Sequence, residues 1–295
     1  MMSFRNMPVS RWCSILKVLT MRIWPVSIMA LEANQSVILH ILTAGKIHCD
    51  KNFGFLLAET LFICIFVSNY KCSFTMIEVN NLGLHDSLFN DVMAEIRDEV
   101  IQRDRMRFRR NLERVGEIMA YEISKTLEYE PREVITPLGV KEVRVLKEQP
   151  VLATILRAGI PFHNGLLNMF DKADNAFVAA YRKYDKDDDS EIRVEYFSAP
   201  DLNDRVLIVC DPLLATGESL VKTIEGLLGD DMQPKHIHIA VAVASADGLS
   251  HVKVKMSRMP VTVWVGSVDD ELTARAYVVP GLGDAGDLAF GEKHS

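Results

Sequence analysis

Five short apolar runs, at residues 151–156, 176–181, 206–210, 237–244 and 261–265, have the length of β-strands, and helix-compatible segments separate most of them. A strand that is apolar at nearly every position must be covered on both faces, a condition met by a parallel sheet with helices packed on either side. The pattern therefore predicts an α/β fold. Residues 219–228, which follow the third run after the intervening segment 211–218, supply one covering helix. Another is predicted where Phe108, Leu112, Val115, Met119 and Ile123 recur at helical spacing among Arg, Glu and Lys residues. Pro137 and Gly139 stand between two β-prone stretches and predict a hairpin arm.

The chain changes character near residue 75. Residues 1–75 carry 7 Lys/Arg against 3 Asp/Glu, and the remainder carries 26 against 37, so a net charge of +4 gives way to one of −11. The first part holds Cys13, Cys49, Cys64 and Cys72 at irregular intervals, with no C-x-x-C pair, so free thiols in a reducing, cytoplasmic compartment are expected. Its apolar stretches invite a membrane reading, but residues 12–31 include Lys17, Arg22 and Pro25, and the shorter 53–67 includes Glu59. Neither meets the requirement for a spanning helix or a clean signal peptide. No repeating helical face, turn grammar or motif occurs before Met76, so residues 1–75 are expected to be a spurious or disordered hydrophobic extension, with Met76 as the initiator. Residues 76–295 are then the functional domain. Its acidity without a basic stripe argues against nucleic-acid binding, and the absence of G-x-x-x-x-G-K-[ST] argues against a P-loop kinase or NTPase.

In open α/β sheets, ligands gather at the carboxyl ends of the strands. After the third run the sequence continues Asp211-Pro212-Leu213-Leu214-Ala215-Thr216-Gly217-Glu218-Ser219 and enters a helical pattern. Such a turn offers backbone N–H groups, hydroxyls and the positive end of a helix dipole to a phosphate monoester, while Asp211 can accept from sugar hydroxyls. It is equally compatible with a plain turn capped by Thr or Ser. After the first run stands Arg157, in Arg157-Ala158-Gly159, and Arg182 repeats the arrangement at the end of the second. An Arg abutting an apolar strand needs an anion or an internal ion pair, and two of them beside a phosphate-type turn can clamp a polyanion. Near the C-terminus, Val278-Val279-Pro280-Gly281-Leu282-Gly283-Asp284-Ala285-Gly286-Asp287 combines glycines and acids in a tight backbone path, or in a simple terminal loop. His236 and His238 share a strand face without a third metal ligand nearby and read as ordinary strand histidines; Cys210 reads as a buried, inert thiol.

Taken together, Arg157-Ala158-Gly159, Tyr181-Arg182, the Asp211–Ser219 segment and the Pro280–Asp287 run resemble, in order, the uracil phosphoribosyltransferase family. The resemblance spans residues 103–293 and leaves 1–75 without counterpart. It implies a type I phosphoribosyltransferase-like parallel sheet flanked by helices and the salvage reaction uracil + 5-phosphoribosyl diphosphate → UMP + diphosphate. Carried over by position, Asp211, Pro212, Leu213, Leu214, Ala215, Thr216, Gly217, Glu218 and Ser219 hold the ribose and 5-phosphate. Arg157 and Arg182 take the diphosphate. Val278, Gly283, Asp284 and Ala285 read uracil through main-chain groups, with Asp284 also reaching the donor. The catalytic set is then Arg157, Arg182, Asp211 and Asp284.

The resemblance further implies Mg²⁺ carried mainly by the donor's own oxygens, with no dedicated protein metal site, and a hairpin arm of the kind used in homodimers. Regulation by GTP is left open. Glu218 departs from the family's usual Gly, and Val278 from the commoner Ile. The acidic run Asp185-Lys186-Asp187-Asp188-Asp189-Ser190-Glu191 is either a lid over the site or a solvated surface loop. Two other classes stand beside this reading. One is a non-catalytic binder of uracil and donor. The other is a purine phosphoribosyltransferase, for which a second acid beside Asp211 would be expected where Pro212 stands.

Overall fold

The structure is a computed structural model and describes residues 77–184, 190–229 and 231–292, without the side chains of 180–197. The hydrophobic stretches before residue 76, the expected start at Met76 and the acidic residues Asp185–Asp189 lie outside the described residues.

Strands β1 (Glu78–Asn81), β4 (Val151–Leu156), β5 (Asp174–Tyr184), β6 (Ser190–Ser198), β7 (Val206–Leu214), β8 (His236–Ser245) and β9 (Val261–Asp269) form one sheet in the order β1-β9-β8-β7-β4-β5-β6. Six strands run parallel, and β6 adds antiparallel to β5 as an edge. The expected sheet is thus present, extended by two edge strands that no apolar run marked. Glu78-Val79-Asn80-Asn81 has little strand character of its own; it is held by its ladder to Thr262-Val263-Trp264-Val265.

Period-two alternation sorts the strand side chains onto two faces. Leu152, Ile208, Cys210, Ala240 and Ala242 face a cluster completed by helices α1 (Leu88–Arg97), α2 (Arg105–Ser124) and α3 (Gly159–Met169) through Phe89, Met93, Ile96, Phe108, Leu112, Val115, Met119, Phe162 and Leu166. Val151, Ala153, Leu207, Val209, Ile237, Ile239 and Val241 face a second cluster under α4 (Glu218–Leu228) and α5 (Ala246–Lys255). Burying an aliphatic side chain of this size contributes about 1.5–3 kcal/mol, so these two layers dominate the stability of the fold. Ser87 starts α1, its Oγ accepting from Phe89 N–H at 3.3 Å. Asp104 starts α2, its Oδ1 accepting from Met106 and Arg107 N–H at 2.9 and 3.1 Å.

The hairpin arm is formed by β2 (Tyr129–Thr136) and β3 (Gly139–Leu146), paired from Tyr129↔Leu146 to Thr136↔Gly139. It is exposed along nearly its whole length. The chain ends in the two-residue strands β10 (Glu271–Leu272) and β11 (Val278–Val279) and the short helix α6 (Ala285–Phe290). No helix among the described residues is long and apolar enough to cross a membrane.

Candidate functional site

Parallel topology places the ends of β4, β7 and β9 at one edge of the sheet, and the three sequence motifs lie at or beyond those ends. They also rest on one apolar cluster. Ala158 beside Arg157, Leu213 and Ala215 of the central segment, and Val278, Leu282 and Ala285 of the C-terminal run all pack into the layer beneath α1, α2 and α3. Residues up to 127 positions apart in the chain, Ala158 and Ala285, are thereby held in one neighbourhood by burial.

Strand β7 continues four residues beyond the apolar run from which it was read, Asp211, Leu213 and Leu214 pairing with Val241, Val243 and Ala244 of β8. Pro212, which has no N–H to donate, falls at the gap in that ladder. The turn is accordingly shorter than expected and consists of Ala215, Thr216 and Gly217. Gly217 takes the N-cap position of α4 at φ 80°, where no side chain caps the helix. The Glu218 N–H lies 3.4 Å from Thr216 Oγ1, and Glu218 itself is exposed. The turn is fastened from α5: Ser245 Oγ donates to Ala215 O at 2.6 Å and accepts from Gly248 N–H at 2.8 Å.

Asp211 retains some solvent access at its rim. Burial raises its carboxyl to about 7, the Leu213 N–H bond to Oδ1 at 3.3 Å opposing the shift. The neighbouring Cys210 is fully buried, and burial pushes its thiol up to about 12, so it offers no thiolate at neutral pH.

Arg157 follows β4 directly, across a cis Leu156–Arg157 peptide, and precedes α3. Its Nη2 donates to Asp287 Oδ1 at 3.0 Å, and Nη1 donates to Gly291 O at 3.4 Å. Its Nε is buried without a hydrogen-bond partner. Arg182 lies within β5, two residues before the strand's end, its backbone opposite Ile192 of β6.

In the C-terminal run, Val278 is buried and pairs with Leu272, while Gly281 and Gly283 adopt left-handed φ values of 58° and 91°. Asp284 caps α6, its Oδ1 accepting from Asp287 N–H at 3.0 Å. Gly283, Asp284 and Asp287 line a cleft of about 380 Å³ together with Gln102 and Arg103, from the 3-10 turn Ile101–Arg103 before α2, and Arg105, the first residue of α2. Arg103 and Arg105 had no place in the sequence reading, because nothing local marks two arginines flanking a helix cap as neighbours of a loop about 180 residues away.

A brace beneath this loop was equally invisible. Arg97, the last residue of α1, donates from Nη2 to Asp269 Oδ1 at 2.8 Å and from Nη1 to Asp269 Oδ2 at 2.9 Å. A second cavity, of about 400 Å³, opens where the strands begin and is lined in part by Glu128, Lys235, His236, His238 and Trp264. None of the predicted site residues lines it. There His238 Nδ1 accepts from Trp264 Nε1 at 3.2 Å, and burial lowers both histidines, His238 to about 3.

The parallel sheet covered by helices on both faces, the motif-bearing strand ends and the hairpin arm form the architecture expected from the family resemblance. The family model described as uracil phosphoribosyltransferase matches residues 84–292. A relative so named from Porphyromonas gingivalis is 51% identical over 216 residues, covering 73% of this chain and 99% of its own. Another from Pyrococcus furiosus is 36% identical over 205 residues, covering 68% and 85%. A third, from Metallosphaera sedula, is 33% identical over 216 residues, covering 70% and 98%. Among solved structures, the AQ2163 protein from Aquifex aeolicus superposes with a TM-score of 0.64 at 28% identity, over 72% of this chain and 98% of its own. The chain belongs to the uracil phosphoribosyltransferase family, whose members are pentosyltransferase enzymes.

Proposed function

We propose that the protein transfers a 5-phosphoribosyl group from its diphosphate donor to uracil, giving UMP and diphosphate, and that residues 76–295 carry this activity. The observation that carries the reading is the meeting of Arg157 with the C-terminal run: a cationic strand-end residue paired to Asp287 beside Asp284, on the apolar layer that also seats the 215–217 turn.

The turn 215–217 and Ser219 hold the 5-phosphate on backbone N–H groups and hydroxyls, the uncapped start of α4 favouring negative charge. Asp211 accepts from the ribose hydroxyls. Arg157, whose buried Nε still lacks a partner, and Arg182 bind the diphosphate. Val278, Gly283, Asp284 and Ala285 present main-chain groups to the imide edge of uracil. A base with an exocyclic amine would leave those groups unpaired, which is the source of discrimination.

Displacement at the anomeric carbon passes through a cation-like sugar, with diphosphate leaving from one face as uracil N1 approaches the other. The two arginines balance the charge gathering on the leaving group, and Asp211 and Asp284 tolerate the positive sugar. Among the described residues no three His, Cys, Asp or Glu side chains cluster as a metal cage would. Asp211 and Asp284 are nevertheless hard oxygen donors of the type Mg²⁺ takes, suited to an ion that arrives on the donor's phosphates and neutralises their charge.

The exposed hairpin is the arm of a homodimer, the enzyme works in the cytoplasm, and GTP is a candidate effector. The test is UMP formation by the full chain from labelled uracil, donor and Mg²⁺, with cytosine and hypoxanthine in competition. Turnover restricted to uracil is the expected result; donor binding without turnover would make the protein a binder, and absence of donor binding would remove the site.

A further inference from the structure

Main-chain groups can select a base only if the backbone that carries them is fixed, and the loop between Val278 and Ala285 has little regular structure to fix it. The structure supplies the fixing elsewhere. Asp269, the last residue of β9, is 7% exposed and takes both forks of the Arg97 guanidinium. Asp269 Oδ2 also accepts from Gly281 N–H at 2.9 Å, and Arg97 Nη1 donates to Gly281 O at 3.1 Å. Both backbone groups of Gly281 are thus consumed by one ion pair. Arg97 Nη2 further donates to Ser267 Oγ at 2.8 Å, which locks the fork against β9. Gly281 sits at φ 58°, and a Cβ there would overlap Val278 O, so the turn is closed by that pair and by a position without room for a side chain.

We infer that Arg97 and Asp269 are positioning residues for the pyrimidine: anchored in the body of the fold at the ends of α1 and β9, they set the backbone path from Val278 to the Gly283-Asp284-Ala285 edge. Neither touches the 215–217 turn or Arg157 among the described contacts, so their influence falls mainly on the base and reaches the donor only through Asp284. The inference rests on the uracil-transfer reading above. Burial alone would push the Asp269 carboxyl up, but the bonds from Arg97, Gly281 N–H and Ser267 hold it below the usual carboxylate range, as an ionised clamp requires.

The experiment is steady-state kinetics of the full chain and of Arg97→Lys, Asp269→Asn and the double variant Arg97→Met/Asp269→Asn, with uracil and donor varied separately. Asp269→Asn is expected to raise KM for uracil by about tenfold or more while KM for the donor stays within about twofold. Arg97→Lys, which keeps the charge but loses the fork, gives a smaller rise in the same parameter. The double variant is expected to be no worse than about the more damaged single, because the two residues act as one device. A folded Arg97→Lys or Asp269→Asn with unchanged KM for uracil overturns the inference, as do parallel rises in both KM values, which mark general loosening. Absence of turnover in the unsubstituted chain overturns instead the reading on which the inference stands.

Discussion

Arg157 Nη2 and Asp287 Oδ1 lie 3.0 Å apart across 130 residues of sequence, joining the end of β4 to the first turn of α6. Their side chains are 37% and 34% exposed, so solvent screens the pair, and its net contribution to stability is about 0–1 kcal/mol. Its significance is positional: it holds the guanidinium at the strand-end edge, where, on the function proposed above, the donor's diphosphate would displace the carboxylate. Arg157→Met is therefore expected to leave the melting temperature within a few degrees while raising KM for the donor by about tenfold or more. Calorimetric titration of the donor, read beside a thermal melt, checks both halves.

The carboxyl of Asp211 should leave a signature in the pH dependence of stability. Burial raises its folded pKa from 3.8 to about 7, so between those values the folded state binds more protons than the unfolded one. Its contribution is complete below about pH 4 and is lost as the pH rises through 7. Asp211→Asn removes that slope. Melts of both proteins at pH 5 and pH 8 should show the wild type losing more stability across the interval than the variant; equal losses would place the Asp211 pKa in the ordinary range.

Gly248 bears on the 215–217 turn from beneath. A Cβ at this position would overlap Ala215 O and stand 3.0 Å from Leu214 O, so the turn 215–217 must move to admit it. Overpacking of this kind costs about 1–3 kcal/mol. Gly248→Ala is expected to raise KM for the donor several-fold with KM for uracil little changed, the reverse of the pattern expected at Asp269. Kinetics with each substrate varied in turn distinguish the two.

Glu218, where the family resemblance leads to the expectation of Gly, is exposed in the first turn of α4. A carboxylate in the first turn of a helix is favourable to the dipole, and Gly lowers helix stability. Glu218→Gly should therefore lower the melting temperature by no more than about 6 °C and change kcat/KM for the donor by less than about threefold. A large gain in kcat/KM would show instead that the carboxylate repels the 5-phosphate.

The elements best legible in the sequence were those whose own period carries the information. The apolar runs at 151–156 and 261–265 became β4 and β9, and the spacing of Phe108, Leu112, Val115, Met119 and Ile123 became the buried stripe of α2. Helix α1 left a readable signal in Ser87 and in Phe89, Met93 and Ile96, although it had drawn no expectation. Strand β1 left none, since Glu-Val-Asn-Asn becomes a strand through its ladder to β9. The end of β7 was placed too early because Asp211 and Pro212 read as punctuation, whereas the ladder to β8 includes Asp211 and resumes beyond Pro212.

For the site, the motifs themselves were local and could be read: a strand-end arginine, a Thr-Gly turn before a helix, a glycine–aspartate run. Strand order, the seating of all three on one apolar layer, the Arg157–Asp287 contact and the Arg97–Asp269 clamp on Gly281 were decided by the tertiary structure. The physical reason is range. Backbone geometry and hydrophobic period act over a few residues and are written along the chain, whereas an ion pair 172 residues apart exists because a packed sheet has brought two strand and helix ends together.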